Sequence, residues 1–113
     1  MRFLITWTLK LKHGKEKIMI NAKDTEVLNQ AIEAFGNDSQ IGMCIEECGE
    51  LIAALNRYNR GRIRIKDVAS ELADVCIMVE QMKLVFGCSM MFQTEFRRKM
   101  NRLKKMVGDN EGV

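Results

Sequence analysis

From Asp24 onward, apolar residues return every three or four positions, the spacing of one face of an α-helix. Val27, Leu28, Ala31, Ile32 and Phe35 predict a short first helix, with Asp24 as its N-cap and Gly36 as its stop. Asn37, Asp38 and Ser39 then offer caps for a second helix from about Gln40 to Tyr58, with Ile41, Cys44, Ile45, Cys48, Ile52 and Leu55 as its apolar stripe and Gly61 at its end. After a basic connection from Arg57 to Lys66, Asp67 can cap a third helix that runs to Phe86 and Gly87. Its stripe is Val68, Leu72, Val75, Cys76, Val79, Met82 and Phe86. Ser89 can cap a fourth helix with Phe92, Phe96, Met100, Leu103 and Val107 inward, ended by Gly108.

The first twenty residues follow a different rule. Phe3, Ile5, Trp7, Leu9 and Leu11 alternate with mostly polar neighbours, His13-Gly14 can turn the chain, and Ile18 to Ile20 can return as a second strand. This segment is either a short β-hairpin or a poorly ordered extension upstream of a start at Met19. The organisation expected is therefore an N-terminal extension (1–20), one helical domain (21–108) and a short tail (109–113).

Composition narrows the class. At 113 residues and 13.0 kDa the chain has room for one domain, and with 47% hydrophobic and 29% charged residues it can fold around a core. The absence of proline suits uninterrupted helices, so the expectation is an all-α four-helix bundle. The net charge of +3 is segregated: residues 1–20 carry +4, 21–56 carry −6, 57–68 carry +4, 69–87 carry −2 and 88–113 carry +3. A nucleic-acid binder needs a continuous basic face, because phosphate neutralisation supplies much of its affinity. The acidic middle of this chain argues against a nucleic acid polymer as partner. The opening apolar stretch is broken by Lys10 and Lys12 with no small-residue cleavage site, and no later run approaches the roughly 18 residues that span a membrane. The sequence thus reads as cytoplasmic, with no membrane partner. Cys44, Cys48, Cys76 and Cys88 form no Cys-x-x-Cys spacing and read as reduced core thiols.

The second helix carries Glu46-Glu47-Cys48-Gly49-Glu50 and the third Glu71-Leu72-Ala73-Asp74. Glu47 with Glu50, and Glu71 with Asp74, are three residues apart and share a helix face. At about 100° per residue, with Glu47 at zero, Glu50 falls near 300° and the apolar arc at about 40–160°. With Glu71 at zero, Asp74 again falls near 300° and the apolar arc at about 40–140°. If the helices pack antiparallel along those arcs, all four carboxylates line one edge of the seam. One Glu-x-x-Glu alone would read as solvated surface charge. Two pairs at matching phase, with Gly49 allowing close approach, favour a shared site. Converging carboxylates repel unless a cation intervenes, and an oxygen-only ligand set suits Mg²⁺, with Mn²⁺ as a second candidate. A di-iron bundle would need Glu-x-x-His on two helices, and the single histidine, His13, lies outside them.

Glu46-Glu47-Cys48-Gly49-Glu50-Leu51 followed after twenty residues by Glu71-Leu72-Ala73-Asp74-Val75 resembles the MazG-like all-α nucleoside triphosphate pyrophosphohydrolases, whose signature is EExxE then ExxD. The resemblance covers roughly residues 24–107 and leaves residues 1–20 without a counterpart. It implies hydrolysis of a nucleoside triphosphate between the α and β phosphates, with Glu47, Glu50, Glu71 and Asp74 holding Mg²⁺. Glu46 is left over; it either orients or deprotonates the attacking water or is merely exposed.

Cations on the fourth helix complement this site. Lys99 and Arg102, three apart, are candidates to grip the β and γ phosphates, whereas the neighbouring Arg98 reads as solvated. Cys44 and Cys48 share a helix face, but no further Cys or His completes a zinc site. The many methionines read as adaptable core or interface filler, and four helices cannot cover all of this apolar surface, so a homodimer or homotetramer is expected. The alternative to an enzyme is a non-catalytic helical interaction or regulatory module on the same fold.

Overall fold

The computed structural model describes residues 20–111, so the expected hairpin lies outside the described residues. Among the described residues the chain is all-helical: α1 spans Ala22–Phe35, α2 Asn37–Asn59, α3 Ile65–Val85 and α4 Ser89–Glu111. No helix among them is long and apolar enough to cross a membrane.

The helix ends show how local chemistry sets the boundaries. Asp24 does not cap α1; Asn21 does, its side chain accepting from the Asp24 N–H at 2.8 Å while the Asp24 carboxylate accepts the Asn21 N–H at 3.1 Å. Each group satisfies an N–H that the helix leaves free, the reciprocal arrangement of a capping box. The same shift occurs at α3, where Asp67 stands three residues inside the start and accepts the Arg64 N–H at 3.0 Å. Asn37, Asp38 and Ser39 form the first turn of α2 instead of preceding it, with Gly36 as the junction. Its φ of 86° is left-handed, which lets α1 end and α2 begin with no intervening loop. Gly61 and Gly87 also take positive φ and end α2 and α3 as expected. Gly108 does not stop α4, which continues to Glu111. A glycine inside a helix costs only about 1 kcal/mol, too little to end it without a left-handed turn.

The most extensive packing is between α2 and α3; α1 touches both, and α4 touches α3 alone among the described helices. The Gln81 side chain, near the end of α3, donates to Gln40 near the start of α2, so the two helices run antiparallel. Both glutamines are buried. Seven residues along each helix the same register sets Glu47 opposite Asp74, with Glu50 opposite Glu71 one turn further.

That register revises the predicted buried faces. The α2 face turned to α3 is centred on Gln40, Glu47 and Ala54, and most of the predicted apolar stripe is rotated outward: Ile45 is 68% and Ile52 63% exposed, against 3% for Ala54, while Ile41 and Cys44 are half-buried. On α3 the predicted stripe is split: Leu72, Cys76 and Phe86 are exposed, Val68, Val75, Val79 and Met82 are half-buried, and Met78 and Gln81 are the buried residues. Gly49 was expected to allow close helix approach, but a side chain added there would meet nothing within 4 Å. The buried apolar residues among those described are Leu28, Ala54 and Met78, whereas every residue of α4 from Ser89 to Asp109 is exposed. The four cysteines are free, but Cys48 and Cys76 are exposed, which corrects their reading as core thiols.

The buried amide pair gives a stability test. Gln81→Leu leaves the Gln40 amide buried without its partner, and the expected loss is about 1–3 kcal/mol in denaturant unfolding. Replacing both glutamines by leucine should recover most of it, since no orphaned polar group remains.

Candidate metal centre

The α2–α3 seam carries the carboxylates: Glu47, Glu71 and Asp74 are half-buried in it and Glu50 is exposed. Oxygens of Glu47, Glu71 and Asp74 lie within 4.8 Å of one another. Glu47 comes from the middle of α2, and Glu71 and Asp74 from the first half of α3, so the antiparallel register alone brings them together. Glu50, one turn beyond Glu47, is exposed and outside that trio, and its negative charge acts on both Glu47 and Glu71. Glu47, Glu71 and Asp74, three of the four residues expected to hold a metal, therefore converge, and Glu50 stands exposed beside them.

Their environment is costly for charge. Glu47 and Glu71 are half-exposed as residues, yet on each the Oε2 atom is shielded from solvent and has no hydrogen-bond partner among the described residues. Shielding raises the Glu47 pKa, and the negative charges of Glu50, Asp74 and Glu71 raise it further. Glu71 is raised by the same shielding, then by Glu50 and Asp74, while the positive charge of Arg57 opposes the rise. Two shielded acceptors without donors, among like charges, are what a cation would satisfy. The donor set consists of hard oxygens, which fits Mg²⁺ or Mn²⁺ and not a soft metal.

Arg57 was legible only as part of a basic loop. The structure puts it in the last turn of α2, seven residues from Glu50 and hence on the same face. That seven-residue spacing was the available signal. Gln40 and Gln81 carried the same one, each seven residues from a site carboxylate.

The remaining candidates stand apart. Glu46 is exposed and outside the carboxylate cluster, one turn before Glu50 on the solvent side. Lys99 and Arg102 are exposed on α4, and neither forms an ion pair among the described residues. Arg98 pairs with Glu95 at 2.7 Å on the surface, in keeping with its solvated reading.

Comparison of the chain with protein-family models, with curated proteins and with solved structures returns no match. The geometry of the seam therefore carries the functional argument.

The raised carboxylates predict a pH dependence with a defined sign. In the metal-free folded protein Glu47 and Glu71 hold their protons more tightly than in the unfolded chain, where a glutamate titrates near about 4.3. The folded state then binds more protons across the interval from that value up to the raised ones. Stability falls as pH rises through this window and stays lowered above it. Melting curves from pH 4 to 8 in chelator should show a smaller decline for Glu71→Gln than for the parent. Equal declines would contradict the shared site.

Proposed function

We propose that this chain is a Mg²⁺-dependent nucleoside triphosphate pyrophosphohydrolase of the MazG-like kind, hydrolysing a ribo- or deoxyribonucleotide between its α and β phosphates. The observation that carries the reading is the convergence of Glu47, Glu71 and Asp74, with Glu50 beside them, around two shielded oxygens that lack donors. The motif pair that resembles this family supplies those same four residues.

Four carboxylates would repel a triphosphate if they met it directly, so cation and substrate belong together at this site. Bound Mg²⁺ supplies charge neutralisation for the phosphates and lowers the pKa of water that it coordinates. Glu47, Glu50, Glu71 and Asp74 are its ligands in this reading. Glu46, one turn before Glu50, is the candidate to accept the proton of the attacking water. Water oxygen bonds to the α phosphorus, the bond from that phosphorus to the bridging oxygen breaks, and monophosphate and pyrophosphate leave. Lys99 and Arg102 are assigned to the β and γ phosphates, where their charge offsets that of the leaving group.

A survey of common ribo- and deoxyribonucleoside triphosphates with Mg²⁺, resolving phosphate products by chromatography, tests this directly. Monophosphate and pyrophosphate in equal amounts are expected for at least one substrate. Orthophosphate with diphosphate, or no turnover of any substrate, would overturn the proposal and leave a non-catalytic helical module.

A further inference from the structure

Gln40 and Gln81 are the buried polar residues among those described, 5% and 3% exposed, and their side-chain amides pair with each other. Neither belongs to the carboxylate cluster. Gln40 is the fourth residue of α2 and Gln81 lies near the end of α3, so the pair closes the end of the seam opposite the connection made by residues 60–64. Glu47 and Asp74 follow seven residues further in along each helix.

The rest of the seam specifies its axial register weakly. Ala54 and Met78 are the buried apolar residues of α2 and α3 among those described, and a methionine side chain adapts readily to altered packing. The carboxylates act against the register, because it opposes Glu47 to Asp74 and Glu50 to Glu71 and leaves shielded oxygens of Glu47 and Glu71 without donors. A slide of one turn, about 5.4 Å, would oppose a single carboxylate pair, Glu47 with Glu71 or Glu50 with Asp74 according to direction. Residues 60–64, at up to about 3.3–3.6 Å each, can span that change. The same slide would set Gln40 against Met78 or Val85, apolar side chains that leave its amide buried without a partner. One buried polar pair specifies register between paired helices for this reason.

We infer that Gln40 and Gln81 are a positioning pair that fixes the axial register of α2 on α3 against the repulsion of the carboxylates, and so holds Glu47, Glu71 and Asp74 together before a cation binds. This role rests on the cation-site reading and not on turnover.

The test compares the full chain with Gln40→Leu/Gln81→Leu, in which no register orphans an amide. The unfolding midpoint of the double variant in denaturant should stay close to the parent's. Its Mn²⁺ affinity, read by electron paramagnetic resonance, should nevertheless fall by on the order of tenfold or more, because the cation must then restore the register as well as bind. Register is read by double electron–electron resonance between spin labels on the exposed Cys48 of α2 and Cys76 of α3, with Cys44→Ser and Cys88→Ser in both proteins. Without metal the parent should give one distance, which saturating Mg²⁺ leaves in place. The double variant should give a shifted or split distance, which Mg²⁺ returns to the parent's. An unchanged distance in the metal-free double variant overturns the inference, and so does an unchanged Mn²⁺ affinity. If the parent binds no Mn²⁺, the cation-site reading fails and the metal-free distances alone decide the register. If the double variant fails to fold, Gln40→Met/Gln81→Met, unbranched like glutamine, takes its place with the same deciding outcomes.

Discussion

Glu47→Gln, Glu50→Gln, Glu71→Gln and Asp74→Asn are each expected to lower pyrophosphate release by on the order of 10²- to 10³-fold with helical content unchanged. Metal-centred charge stabilisation is worth several kcal/mol in the transition state, and about 1.36 kcal/mol corresponds to tenfold in rate. Each substitution keeps side-chain size and removes one negative ligand, so folding should survive. Lys99→Ala should act mainly on KM, because its proposed partner is already charged in the bound ground state. Steady-state kinetics with circular dichroism on the five variants separates these outcomes. Full turnover in any two of the four carboxylate variants would contradict the site.

The second large effect is on stability. A ligand that binds only the folded state stabilises it by about 2.7 kcal/mol at one hundred times its dissociation constant. For a unit of this size about 1 kcal/mol moves the melting temperature by about 4–8 °C, so saturating Mg²⁺ should raise it by on the order of 10–20 °C. Glu71→Gln removes one of the repelling charges and should stabilise the metal-free protein while reducing the gain from Mg²⁺. An exposed surface glutamate would show neither effect, since such substitutions usually stay within about 0.5 kcal/mol. Melting curves with and without Mg²⁺ for both proteins make the comparison, and equal shifts would count against convergence.

The helices themselves were readable because their periodicity and glycine punctuation are strong local signals. The caps were displaced by three residues at α1 and α3, since an acidic residue can act either as the cap or as the third residue of a capping box. The carboxylate cluster was legible from Glu47, Glu50, Glu71 and Asp74 sharing a phase on two helices. Apolar stripes were assumed to pack on each other within one chain, yet α2 and α3 meet through Gln40, Glu47, Ala54, Met78 and Gln81 and leave Ile45 and Ile52 outside. The seven-residue spacing of Gln40, Glu47 and Ala54, and of Asp74 and Gln81, is the signal that distinguishes the two faces.

The central claim is that these four carboxylates form one cation site, and Mn²⁺ titration followed by electron paramagnetic resonance tests it most directly. Hexaaqua Mn²⁺ gives a sharp six-line signal that diminishes on binding, so free metal is counted without reference to turnover. The parent should remove Mn²⁺ from solution in competition with Mg²⁺, and Glu71→Gln and Asp74→Asn should each weaken that binding by at least tenfold. Binding of the same affinity in the parent and in both variants, or none in the parent, would contradict it.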